Sequence, residues 1–139
     1  MLMMYVSARN YAGGDALAYL QHMQRFDKHK NISVHIDEYA AQTGISKFVH
    51  YYDAWNYDKN ESSQLDPEAL ADHHFIIVGD YKEDVKQKAT KVFGKSHRQY
   101  FGVETFDKLH MVKSKKFPYY WPILKFKDKL VVMRRKGDA

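Results

Sequence analysis

A chain of 139 residues with 45% hydrophobic and 15% aromatic content is long enough to bury its own core and does not have the composition of a chain disordered throughout. It has no cysteine, so disulfides, thiolate metal sites and thiol nucleophiles are excluded as well. A formal net charge of +5 and a pI of about 9.2 permit an anionic partner without requiring one.

No apolar run reaches the roughly 20 residues that span a bilayer. Met1 to Val6 is apolar except for a tyrosine hydroxyl, but it lacks the basic leader and cleavage pattern of a signal peptide. Gly13-Gly14-Asp15 then opens a first helix, with Asp15 placed favourably beside the positive helix N-terminus. Leu17, Leu20, Met23 and Phe26 give that helix its apolar stripe, and Asp27 to Asn31 is a polar exit. Ile32, Val34 and Ile36 alternate as in a half-buried strand. Asp37 follows as the cap of a short helix from Glu38 to Thr43, and Gly44 supplies the left-handed residue that stops it.

Lys47 to Tyr52 is aromatic and β-branched and predicts a second strand, with Trp55 to Tyr57 extending it after a kink. Asp58 to Asp72 is a long loop in which Pro67 to Ala71 forms one helical turn. His73 to Val78 reads as a strand buried on both faces. A helix from Glu83 to Phe93 buries Val85, Ala89, Val92 and Phe93, carries lysines outside and ends at Gly94. Arg98 to Thr105 and Lys108 to Val112 are extended, and Lys113 to Trp121 is a basic, aromatic loop. Ile123 to Phe126 and Leu130 to Arg134 predict a closing hairpin around Lys127-Asp128-Lys129. The sum is an α/β (or α+β) fold: a mixed sheet of about five strands covered by two main helices.

Candidate chemistry is sparse. His35 and Asp37 share a strand face and would suit an acid/base couple or two metal ligands, but capping already accounts for Asp37. His73 and His74 point to opposite sides of a strand and do not readily share an ion. Gly13-Gly14 ahead of a helix would suit a phosphate, yet neither dinucleotide nor P-loop spacing is present, and a cap and turn accounts for it better. No Gly-x-Ser-x-Gly occurs, and the reading calls for no metal and no cofactor. Trp55, Tyr57, Asp58 and Lys59 combine ring faces with a carboxylate and a cation, the mixture that holds a sugar. The alternative is that Trp55 and Tyr57 fill the core beneath the loop. Asn31-Ile32-Ser33 and Asn60-Glu61-Ser62 are N-glycosylation sequons, with Asn60 in the more exposed loop.

Several of these stretches also carry a resemblance. His35-Ile36-Asp37, then Ala40-Ala41-Gln42-Thr43-Gly44-Ile45-Ser46-Lys47-Phe48, then Ala54-Trp55-Asn56-Tyr57-Asp58-Lys59 follow one another in order. Upstream, Asn10-Tyr11-Ala12-Gly13-Gly14 is similar to an Asn-Tyr-Pro-Gly-Gly motif, with Ala12 departing from the proline. Together they resemble the C-terminal region of the dolichyl-phosphate-mannose-dependent alpha-1,6-mannosyltransferases of the endoplasmic reticulum. Beyond Lys59 the likeness is only one of strand pattern.

The resemblance implies an integral-membrane glycosyltransferase that adds mannose, with inversion, to a dolichyl-diphosphate-linked oligosaccharide in the lumen. The catalytic carboxylate of that family lies in an early lumenal loop that has no counterpart here, so no catalytic residue is expected in this segment. Residues 1–9 would be a stub following a membrane helix, and 10–139 a single soluble lumenal domain. Its partners would be the dolichyl-linked oligosaccharide acceptor and the membrane part of the same enzyme. Trp55, Tyr57, Asp58, Lys59, Asp37 and Gln42 are the acceptor-binding candidates, and Asn60 and Asn31 the glycosylation candidates. Two other readings compete: a structural or docking domain without glycan contact, and a basic domain binding single-stranded nucleic acid through Lys113 to Trp121. Against the second, the basic residues match no sheet-face aromatic motif.

Overall fold

The computed structural model describes residues 4, 11–45, 50, 52–59, 66–79, 84–113, 115–116 and 120–137. Helix α1 (Ala12–Met23) leads into strand β1 (Ser33–Ile36), the short helix α2 (Glu38–Gln42) and strand β2 (Asn56–Asp58). Strand β3 (Phe75–Gly79), helix α3 (Val85–Phe93) and two long strands, β4 (His97–Lys113) and β5 (Tyr120–Arg135), complete the order. The five strands form one mixed sheet in the order β2-β1-β3-β5-β4. β1 runs parallel to β2 and β3, while β5 runs antiparallel to β3 and β4. The expected mixed five-stranded sheet under two main helices is the one that forms.

Period-2 alternation sorts the central strands into two cores. Phe75 and Ile77 of β3 and Leu130 and Val132 of β5 face α1 and α2, where they meet Leu17, Leu20, Tyr39 and Trp55. Ile76, Val78, Val131 and Met133 face the other way onto Val85, Ala89 and Phe93 of α3. The continuous apolar run predicted for β3 is therefore explained by a helix on each side. Asp84 caps α3 by accepting the Lys86 N–H at 3.1 Å.

The stretch from β1 to Gly44 is the junction of the fold. Asp37 Oδ1 accepts the Glu38 N–H at 2.7 Å, and Oδ2 accepts the Gly79 N–H at 3.2 Å, so the cap also ties β1 to the end of β3. Gly44 has φ +108°, the left-handed value predicted for it. The N–H groups of Gly13 and Gly14 donate to the Thr43 carbonyl at 3.0 and 3.2 Å. The N-terminus of α1 thus abuts the C-terminus of α2, and these donors are spent on protein rather than phosphate. A Cβ on Gly13 would lie 2.0 Å from the Ala40 carbonyl oxygen, so only glycine permits this approach.

Three expectations need correction. Phe26 does not continue the apolar stripe: α1 stops at Met23, and a tight 3-10 turn over Arg25–Asp27 swings Phe26 outward to 83% exposure. β1 is not half-buried, because His35 is as buried as its apolar neighbours and has His73 against it. Pro67 to Ala71 does form the single helical turn expected of it, with the Leu70 N–H donating to the Asp66 carbonyl at 3.3 Å and Asp66 Oδ1 accepting the Glu68 N–H at 3.1 Å. Lys127-Asp128-Lys129 is not a hairpin turn but the middle of β5, opposite Glu104 and Thr105. A two-residue hairpin turn wants positive φ, which Lys-Asp-Lys supplies poorly. Here Lys129 reaches Asp107 at 3.3 Å and Asp128 pairs with Lys86. The two extended segments predicted before it are one strand, β4, interrupted by bulges. The strand expected over Lys47 to Tyr52 lies mostly outside the described residues, as do most of residues 1–9.

Candidate functional site

β2, β1 and β3 are parallel, and their carboxyl ends share one edge of the sheet. In open α/β sheets this edge is where ligands gather, because loops leaving the strands diverge there. Asp58 and Lys59 leave β2 at this edge, Asp37 and Glu38 leave β1, and Gly79 ends β3. Lys59 is exposed and its Nζ donates to the Ile45 carbonyl at 3.1 Å, which ties the end of β2 to the chain after α2. Gln42 is exposed on α2 and donates to Glu38 Oε1 at 2.9 Å. The structure therefore brings Asp37, Gln42 and Lys59 to one rim.

The aromatic candidates divide. Trp55 is only 4% exposed: it packs with Tyr52 and Phe75, and its Nε1–H donates to the Asp27 carbonyl at 3.4 Å. Its ring supports the strand and offers no open face. Tyr57 is half-buried, stacks on His50 with ring centroids 4.0 Å apart, and its hydroxyl accepts from Gln21 Nε2 at 2.8 Å. Burial raises the Tyr57 hydroxyl above its ordinary pKa, partly offset by that bond.

The cap reading of Asp37 holds, and the partner of His35, which the local sequence does not reveal, is Asp58. Parallel register places His35 beside Asp58, with His35 Nδ1 3.3 Å from Asp58 Oδ2. His73 Nε2 lies 3.3 Å from the same oxygen, and the two rings meet edge to face at 5.6 Å. Burial pushes His35 below its usual pKa, against the opposing pull of the Asp58 hydrogen bond. His74 points elsewhere, its Nδ1 accepting the Ser33 N–H at 3.1 Å. No local spacing could have found this triad, because the residues come from three segments joined only by strand register.

One ligand atom from each of His35, Asp58 and His73 lies within 4.8 Å of the others. Two N···O separations of 3.3 Å are close to the edges of a tetrahedron with metal bonds of about 2.0–2.1 Å, so a small divalent cation would fit. Metal-bound histidines, however, donate their second ring N–H to an acceptor. Among the described residues His35 Nε2 and His73 Nδ1 are buried without one. The triad is described better as Asp58 accepting from both rings, a clasp holding the end of β2 against β1 and the chain ahead of β3. Nothing among the described side chains couples a nucleophile, a base and an oxyanion donor. The class defined by fold and site is a three-layer α/β domain with a polar rim at the carboxyl ends of its parallel strands.

Comparison with known proteins gives that class a context. The chain is 30% identical over 87 residues to the Drosophila melanogaster Dol-P-Man:Man(7)GlcNAc(2)-PP-Dol alpha-1,6-mannosyltransferase, a match covering 62% of this chain and 12% of that protein. It is 38% identical over 79 residues to the Schizosaccharomyces pombe protein described as a probable enzyme of the same name, covering 57% of this chain and 13% of that one. The matched stretches thus span about an eighth of the length of these relatives. No family model matches the chain, and no solved structure does. The resemblance carried by the sequence motifs is the one these relatives display.

Proposed function

We propose that this chain is the lumenal domain of an endoplasmic-reticulum mannosyltransferase that transfers mannose from dolichyl phosphate mannose, in alpha-1,6 linkage, to a dolichyl-diphosphate-linked oligosaccharide. The observation that carries the reading is the similarity to two alpha-1,6-mannosyltransferases named for that donor and acceptor. No described helix is long and apolar enough to cross a membrane. In this reading the membrane spans and the catalytic carboxylate belong to other parts of the enzyme.

The role of the domain in this reading is acceptor recognition. A branched oligosaccharide extends well beyond its reacting hydroxyl, and contacts to remote sugars supply binding energy that orients that hydroxyl. The rim formed by Asp37, Gln42, Asp58 and Lys59 presents carboxylate, amide and ammonium groups suited to sugar hydroxyls, with Tyr57 beside them and Trp55 as the buried support. Asn31 is exposed just before β1 and, with Asn60, is a proposed glycan attachment site on the lumenal side.

The test is a substitution of Lys59→Ala with Gln42→Ala in the full-length enzyme. The expected outcome is a raised KM for the lipid-linked acceptor, with KM for dolichyl phosphate mannose unchanged. Unchanged acceptor kinetics, together with no chemical-shift changes on adding mannose oligosaccharide to the labelled 139-residue chain, would leave the docking reading in its place.

A further inference from the structure

The outer end of the β4–β5 ribbon takes no part in the polar rim, and its chemistry is of another kind. From Lys108 to Lys127 the sequence contains six lysines (108, 113, 115, 116, 125 and 127) and no aspartate or glutamate. The rest of the stretch is largely aliphatic and aromatic, including Trp121, Tyr119 and Tyr120. A cationic segment rich in tryptophan, tyrosine and aliphatic residues has the composition that settles at a membrane–water interface.

Strand register turns this composition into a surface. Past the last bulge the pairing is regular: Leu109 opposite Leu124, Met111 opposite Pro122, Lys113 opposite Tyr120. Alternation puts these six on one face of the ribbon. Lys108, Lys125 and His110 fall on the opposite face, together with Val112 and Ile123. Leu109 and Met111 are each 50% exposed and Tyr120 60%, although apolar side chains in the body of the sheet are almost wholly buried. The ribbon thus presents an apolar face that ends in Lys113, with the exposed Lys115 just beyond it at the tip and no acidic group in the stretch to repel a phosphate.

We infer that this arm inserts its Leu109–Met111–Tyr120 face into the headgroup layer of an anionic lipid bilayer, with Lys113 on that face and Lys115 at the tip of the ribbon engaging lipid phosphates. The lysines complement the surface charge, and the apolar side chains remove their exposed area from water. Single-stranded nucleic acid fits this face less well, since bases stack on rings and Tyr120 is the one aromatic among its described side chains. The inference does not rest on acceptor recognition, which uses the carboxyl edge of the parallel strands.

Flotation of the 139-residue chain with phosphatidylcholine vesicles, with and without phosphatidylserine, tests it. Binding is expected to the phosphatidylserine vesicles and to weaken as salt is raised. Leu109→Asp with Met111→Asp should weaken it at least about tenfold, and Lys→Gln at 113 or 115 about fivefold per lysine, the equivalent of the usual contribution of one cation at an anionic surface, with a smaller effect at 108 or 125 on the opposite face. Far-UV circular dichroism of each variant should match the parent, because these side chains are exposed. Failure of the parent chain to float, equal flotation without phosphatidylserine, or undiminished flotation of the double aspartate variant would each overturn the inference. Binding to a single-stranded oligonucleotide without flotation would overturn it in favour of nucleic acid. Loss of flotation in the arm variants with acceptor KM unchanged in the full-length enzyme separates this arm from the rim.

Discussion

The same two strands, β4 and β5, behave differently at their two ends. At the inner end Leu130 to Met133 lie between two helical layers, and each side chain fills one core or the other. At the outer end Leu109, Met111 and Tyr120 stand exposed on a ribbon with the same backbone hydrogen bonding. Ladder pairing is satisfied in both places, so it does not distinguish them. Burial does: inner residues are almost wholly removed from water and contribute fully to stability, whereas the outer apolar residues stay about half exposed and contribute less.

This contrast is sharpest where the body is most tightly packed. Gly13→Val should unfold the chain or cost more than about 4 kcal/mol, because its side chain would meet the Ala40 carbonyl, and urea denaturation would show it. Ile77→Ala, in a fully buried position of β3, should cost about 3 kcal/mol by the same measurement. A loss below about 1 kcal/mol at Ile77 would show that the body is as loosely packed as the arm.

The next effect is on pH response. His35 titrates below its ordinary value of 6.5 in the folded chain, chiefly because it is buried. Between the folded and unfolded values the unfolded state binds more protons, so stability is full above about pH 6.5 and is lost as pH falls through the lower folded value. Denaturation of parent and His35→Gln chains at several pH values checks this, and the variant should show a shallower loss below pH 6.5. Smaller again is Asp37→Ala, which removes the cap of α2 and the bond to Gly79 and should cost about 1–2 kcal/mol in thermal unfolding. At the small end, Leu109→Asp with Met111→Asp should alter stability by no more than about 0.5 kcal/mol while changing vesicle binding. A large loss of stability there would show the arm to be part of the body.

Local chemistry made much of this legible. Asp37 as cap, Gly44 as left-handed stop, the doubly buried β3 and the amphipathic α3 each depend on neighbours within a turn or a few strand residues, and each formed as read. Misreadings came where a local signal was overridden from a distance. Lys127-Asp128-Lys129 looks like a turn only until Lys86, Asp107 and the partner strand occupy its side chains. Of the candidate residues, Asp37, Gln42 and Lys59 lie on the carboxyl side of the parallel strands, while Trp55 was read as open to a sugar or core-filling and lies in the core.

By itself the sequence determined most of the segments that became helix or strand, where the pivotal turn would stop, and which mannosyltransferases the chain resembles. Those properties follow from backbone preference, side-chain periodicity and residue order, all of which are local. Only the tertiary structure decided that His35 meets Asp58 and His73, that the Gly13 and Gly14 donors are consumed by Thr43, and that one half of a ribbon is core and the other half bare. Each of those outcomes depends on strand register between distant segments, which is fixed when both faces of the sheet are buried at once.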